Sequence, residues 1–183
     1  MDTKVLEEQL KKLDEKTISL GKEVQRLRKE GSQYQCMAEN YTVKAQSLFC
    51  TISNAGEDED TSSIYETANE YMEQAIRCEE LAQECEEQEK EKVVALRECR
   101  CAYESYQEEG QTNLVNLEIT INKLKTLTGS QYGAGKIKEA LTLAQQKVVY
   151  NDNLVKGCRK RMLWIDQICG ECAEPYQKVL KRY

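Results

Sequence analysis

Residues 6–27 read LEEQLKKLDEKTISLGKEVQRL, and the spacing of the apolar residues in this stretch decides the fold. Leucines stand at positions 6, 10 and 13, and the alternation of four-residue and three-residue steps continues without a break to Ile52. This heptad pattern is typical of a helix that packs one apolar stripe, or seam, against another helix. The sequence therefore predicts a first helix over residues 4–52, which begins with Leu6, Leu10 and Leu13.

Two further segments carry the same pattern, and turn-forming residues separate them. Residues 53–60 combine turn formers with a run of four acids, after which a second helix is predicted over residues 62–127. Three glycines within residues 128–135 mark the next turn. A third helix is predicted over residues 136–181, with a kink or an end just before Pro175 because proline removes a backbone donor.

The start of the second helix carries residues that typically cap a helix. Thr61, Ser62 or Ser63 offers an N-cap side chain, and Glu66 follows Ser63 by three residues, as in a capping box. The sequence thus predicts that this helix begins near residue 62.

These segments predict an all-α single domain, an elongated antiparallel three-helix bundle or coiled coil with a long central helix. At about 1.5 Å per residue the three helices would measure roughly 70, 95 and 65 Å, so the first and third must share the second. Folding at the two turns places the acidic residues 86–92 opposite Arg26, Arg28 and Lys29. Opposite charges on packed helices favour this register.

Composition excludes several classes of function. The net charge of −6 and the pI of about 5.0 argue against binding to nucleic acid or to an anionic membrane. No stretch has the roughly 18 apolar residues needed to span a bilayer, and the charged start lacks the apolar core of a signal peptide. We therefore expect a soluble, cytoplasmic protein, and Sec-independent export stays open.

The residue types also argue against catalysis. The chain contains no histidine, which removes the commonest general base and every imidazole metal ligand. The carboxylates lie on faces predicted to be solvated, where nothing would raise a carboxyl pKa for acid catalysis. We expect no enzymatic activity, no cofactor and no small-molecule substrate.

Nine cysteines are many for a chain of 183 residues. Their odd number and the absence of a signal peptide favour free thiols. Cys169 and Cys172 have the spacing of redox and metal sites, and Cys99 with Cys101 would complete four thiolates for zinc. The favoured interpretation is that these cysteines are small buried residues of the seams.

A separate pair of thiols follows from the predicted register of the first two helices. Cys36 and Cys78 fall within about two residues of the same level, so they would be close enough to bond in an oxidising compartment.

The leading functional hypothesis is a non-enzymatic interaction or assembly protein, a scaffold or adaptor that self-associates or binds a helical protein partner. Long helices with narrow seams present area without a concave pocket. Leu6, Leu10 and Leu13 lie beyond the predicted reach of the third helix, so they are the expected partner-binding residues. A homo-oligomer is the simplest way to cover them.

Two resemblances provide alternatives. The turn at Leu127 to Gly129, followed by Tyr132, resembles the WXG/LXG-type helical hairpins of type VII secretion, although the defining tryptophan is absent. That resemblance implies a secretion substrate or its partner. In helix number and length the chain also resembles BAR domains, which implies a membrane-associated module, and the acidic balance argues against it.

Overall fold

The computed structural model describes residues 3–56, 60–127 and 134–170. Its elements are α1 (Thr3–Ser53), α2 (Ser62–Leu127) and α3 (Ala134–Cys169). These described ranges contain no strand. The predicted all-α fold with a long middle helix is confirmed, and the predicted ends of α1 and α2 agree to within one residue. None of the three helices, over the residues described, has the long apolar stretch that crossing a membrane requires.

The first turn of α2 is capped from just before the helix. The Ser62 backbone N–H and hydroxyl both donate to Asp60 Oδ1, at 3.1 and 2.7 Å, and the Tyr65 N–H donates to the Thr61 carbonyl at 2.9 Å. The hydroxyl bond and then the backbone bond lower the pKa of Asp60. Thr61 was one of the three predicted caps, but the accepting side chain belongs to Asp60, which the prediction passed over.

The prediction that the third helix continues to residue 181 is wrong, because α3 ends at Cys169. Gly170 has a φ of +74°, and its N–H donates to the Gln167 carbonyl at 3.4 Å. A glycine takes this left-handed conformation at little cost and so ends the helix. The heptad spacing of apolar residues continues past Gly170, so the spacing does not predict that α3 ends here. Pro175, with the remainder of the predicted helix, lies outside the described residues.

The chain forms two compact units, Met1–Ala95 and Leu96–Tyr183, and α2 contributes its first half to one and its second half to the other. In unit 1, α1 runs antiparallel to α2. Arg28 Nε donates to Glu89 Oε1 at 2.6 Å, and Lys92 Nζ lies 2.9 Å from Glu23 Oε2. The first of these pairs confirms the predicted register of the acidic residues 86–92 against the basic residues of α1.

Small side chains form the seam of unit 1 at intervals of seven residues. The buried alanines of this seam are Ala38, Ala45, Ala68, Ala75 and Ala82. They let the two helix backbones approach closely. An added Cβ on Gly31 would lie only 3.4 Å from Cys85 Cβ. Tyr41 stacks on Tyr71 with ring centroids 6.0 Å apart, so aromatic rings fill the space beside the alanines.

Unit 2 pairs the second half of α2 with antiparallel α3 around larger side chains. Leu96, Tyr103 and Ile165 are at most 2 % exposed. Arg100 Nε donates to Asp166 Oδ1 at 2.6 Å, and the Asp166 side chain is only 10 % exposed. This hydrogen bond raises the pKa of Arg100 above its usual range, so the guanidinium stays protonated. It fixes the register of α3 on α2.

Candidate interaction surfaces

The three leucines predicted to bind a partner differ in burial. Leu6 is 6 % exposed in the single chain, so the expectation that it lies uncovered is wrong. Other residues of the same chain already cover its side chain. Leu10 and Leu13 are half-buried. That the seam at these three leucines binds a partner stays a prediction.

Three of the four cysteines considered for zinc lie among the described residues, and they differ in burial. Cys99 is buried in unit 2, Cys101 is exposed, and Cys169 is half-buried. Residues two apart on a helix point to different sides, so Cys99 and Cys101 do not share one ligand set. Cys172 lies outside the described residues. Within the described ranges, no group of three or more cysteine, aspartate or glutamate side chains is placed to hold a metal ion.

The predicted pairing of Cys36 with Cys78 is not formed in the structure. Both side chains are free thiols, and Cys36 is exposed whereas Cys78 is buried in the seam. The level of the two residues along the helices follows the predicted register, but only Cys78 lies in the seam. The prediction considered only the position of the two residues along the helix axes. It did not consider the direction in which each side chain leaves its helix, so it did not predict that Cys36 is exposed and Cys78 is buried.

Burial along the seam of unit 2 decreases after Gly110 of α2. Leu96, Cys99, Tyr103 and Gly110 are buried, and most of the buried positions of α3 lie between Asn151 and Ile168. Toward the turn the large apolar seam residues are only half-buried: Leu114, Leu117, Ile121 and Leu124 of α2, with Ile137, Leu141 and Val148 of α3. Ala144, a small residue, is buried among them. Two helices alone leave the sides of such a seam open to water.

One side of this open seam is defined by a hydrogen bond. Asn113 Nδ2 donates to Asn151 Oδ1 at 3.3 Å, which shows where α2 and α3 meet on that side. Steps of three and four residues from these two asparagines toward the turn give two facing rows. We call them together the hairpin groove: Leu117, Thr120, Leu124 and Leu127 of α2, and Lys136, Ala140, Leu143 and Lys147 of α3.

The hairpin groove is mostly apolar, with Thr120 as the polar residue of its α2 row and a lysine at each end of its α3 row. Leu127 and Leu143 are 54 % and 53 % exposed, and Leu117 and Leu124 are half-buried. Lys136 and Lys147 are exposed on the α3 row. An unfilled strip of leucines with cations beside it is suited to an amphipathic helix that carries acids next to its apolar face.

Unit 1 carries a surface of the opposite charge. We call residues 60–91, which comprise the first part of α2 and the two residues before it, the acidic segment, since they include eleven aspartates and glutamates and two basic residues. Tyr65 and Ile76 are 54 % and 51 % exposed, and half-buried Asn69 and Met72 lie between them at helical spacing. This row is apolar except for Asn69.

Acids lie beside that row on the surface of unit 1. Glu66, Glu73 and Glu80 are exposed and follow one another every seven residues. Glu79, one turn beyond Ile76, lines a surface depression of about 630 Å³ together with Glu39 and Val43 of α1. The acidic segment therefore presents an apolar row bordered by carboxylates.

Sequence reasoning identified Leu117 and Leu124 as seam residues but missed the hairpin groove. Leu127 and Leu143 could have indicated the groove, because they are large apolar residues near the turn that lie outside the heptad positions. The lysines around them form a basic stretch in an acidic chain. The heptad pattern alone does not report how much of each seam position remains exposed.

No protein-family model, curated protein sequence or solved structure matches this chain.

Proposed function

We propose that this protein is a non-enzymatic helical interaction protein that assembles by self-association through the hairpin groove. The observation that carries the proposal is the run of large apolar seam residues that stay half-buried from Leu114 to Leu124, with Leu127 and Leu143 exposed beside them. Burying the rest of such a side chain contributes about 1 kcal/mol each. A partner helix laid in the groove would cover several of them at once.

A helix is the kind of partner that fits the groove. Its rows repeat every three to four residues, which matches the anchors that a docking helix presents at i, i+3, i+4 and i+7. Such an extended apolar strip is better suited to contact with a protein helix than to enclosing a small molecule.

A double substitution tests this proposal. Leu127→Asp with Leu143→Asp places two charges in the groove at exposed positions, so the monomer should keep its helices. Sedimentation velocity across a range of protein concentrations should show oligomers for the unchanged chain and monomers for this variant. Circular dichroism should show equal helix content for both.

The matched control is Val94→Asp with Leu163→Asp, which are 54 % and 40 % exposed and belong to neither row of the groove. This control should associate like the unchanged chain. The pair Leu10→Asp and Leu13→Asp applies the same test to the amino-terminal seam. Equal loss of association in the control and the groove variant would contradict a role for the groove, and an unchanged chain that stays monomeric would contradict self-association.

A further inference from the structure

The hairpin end is basic although the chain is acidic. Residues 114–150 contain five lysines and two glutamates, a net charge of +3, in a protein whose total is −6. The acidic segment at residues 60–91 has a net charge of −9, with eleven acids and two bases. Two apolar rows of helical spacing, one bordered by lysines and one by glutamates, therefore lie in different units of the same chain.

We propose that the occupant of the hairpin groove is the acidic segment of a second copy of this chain. This inference rests on the proposed function and names the partner for it. Tyr65, Met72 and Ile76 of one copy lie along the leucines of the groove of the other. Glu73 and Glu80 then lie near Lys136 and Lys147, so apolar contact and ion pairing act together.

The charges disfavour the simplest alternative, in which two hairpin grooves face each other. Such a contact brings Lys136 and Lys147 of one copy against the same two lysines of the other, and like charges that are juxtaposed in an interface are unfavourable. Contact between two acidic segments is also unfavourable, since it brings Glu66, Glu73 and Glu80 of each copy together. Only contact between a hairpin groove and an acidic segment covers both apolar rows and also brings opposite charges together.

An interface between two different surfaces has a consequence for assembly. Each added copy leaves one groove and one acidic segment unfilled, so association continues beyond dimers unless a ring closes. Because exposed charges contribute to the contact, association should weaken as salt shortens the screening length, which is about 10 Å at 0.1 M. The apolar rows keep part of the affinity at high salt.

Charge reversal on full-length protein tests the pairing. The groove variant carries Lys136→Glu and Lys147→Glu, and the segment variant carries Glu73→Lys and Glu80→Lys. A control with Lys123→Glu and Lys160→Glu changes the net charge as the groove variant does, at exposed residues outside both surfaces. Sedimentation velocity at low salt measures association of each protein alone and of mixtures.

We expect each reversed variant alone to associate at least tenfold more weakly than the unchanged chain, and the control to associate normally. An equimolar mixture of the two variants should regain association, because the now acidic groove of one meets the now basic segment of the other. Normal association of the segment variant would overturn this pairing. If Leu127→Asp with Leu143→Asp still abolished association in that case, the groove would keep its proposed role with another occupant.

Discussion

At the scale of single residues, two glycines inside helices have opposite surroundings. Gly110 of α2 is buried against α3, where an added Cβ would lie 2.9 Å from Val155 Cγ2 and 3.4 Å from Leu154 Cδ2. Gly157 of α3 is exposed, and nothing lies within 4 Å of its Cβ direction. Gly110 thus allows α2 and α3 to pack closely, whereas Gly157 has no such contact and only lowers the helix propensity of α3.

Alanine at these two positions should change stability in opposite directions. Gly157→Ala should raise the free energy of unfolding by about 0.5–1 kcal/mol, the usual gain in helix propensity. Gly110→Ala should lower it by about 1 kcal/mol, since overpacking costs about 1–3 kcal/mol and β-branched Val155 moves little. Urea denaturation measures both.

The double variant Gly110→Ala with Val155→Ala is the control for the contact. Removing the Val155 methyl groups should make the added Cβ harmless, so the two changes should couple by about 1 kcal/mol. Simple additivity of the two single effects would show that the close approach to Val155 is not the cause.

At the scale of helices, two ion pairs set register but differ in burial. Arg100 and Asp166 join α2 to α3, with side chains 34 % and 10 % exposed. Arg28 and Glu89 join α1 to α2, at 41 % and 23 %. Asp166 is the least exposed of these four side chains. Removing Arg100 therefore leaves the charge of Asp166 with little water around it.

We expect Arg100→Ala to lower the free energy of unfolding by about 1–3 kcal/mol, less than the cost for a fully buried pair because Arg100 is partly exposed. Arg28→Ala should cost about 0–1 kcal/mol, as for other exposed pairs. Thermal and urea unfolding compare the two. Equal losses would mean that burial of Asp166 does not govern the effect.

At the scale of the whole molecule, the fold sorts its thiols by burial. Cys36, Cys50 and Cys101 are exposed, and Cys78, Cys85, Cys99 and Cys158 are buried. Burial, and after it the charge of Glu30, raises the pKa of the Cys85 thiol above its ordinary value. Since the thiolate is the reactive form, Cys85 is protected both by access and by protonation.

Alkylation of native reduced protein should therefore modify the three exposed cysteines quickly and the four buried ones only on unfolding. Peptide mass spectrometry at successive times identifies each site. Fast modification of Cys85 or Cys158 in folded protein would contradict the burial that the structure shows. In a parallel sample kept without reductant, Cys36 should be alkylated just as quickly, because it is a free thiol in the structure.

The raised pKa also links folding to pH. Below the ordinary thiol pKa, Cys85 is protonated in both states and has no effect on the pH dependence. Above it, the unfolded chain loses the proton first, so the stability of the fold falls as pH rises toward the folded pKa. Cys85→Ala should reduce that alkaline loss in urea titrations at successive pH values.

The sequence by itself determined the three helices and nearly all of their ends. Heptad spacing, turn glycines and charge runs are local signals, and they placed α1 and α2 to within one residue. The pairing of Arg28 with the acidic residues 86–92 followed from counting along two antiparallel helices. Each of these inferences needed only the order of residues in the chain and regular helix geometry.

Only the tertiary structure decided which apolar residues stay uncovered. Leu6 was expected to be open and is buried, whereas the exposure of Leu127 and Leu143 was not predicted. Neither the exposed fraction of a seam residue nor the conformation of Gly170 follows from spacing. Burial depends on which distant residues lie opposite and how much space they fill, and that is set only when the helices pack.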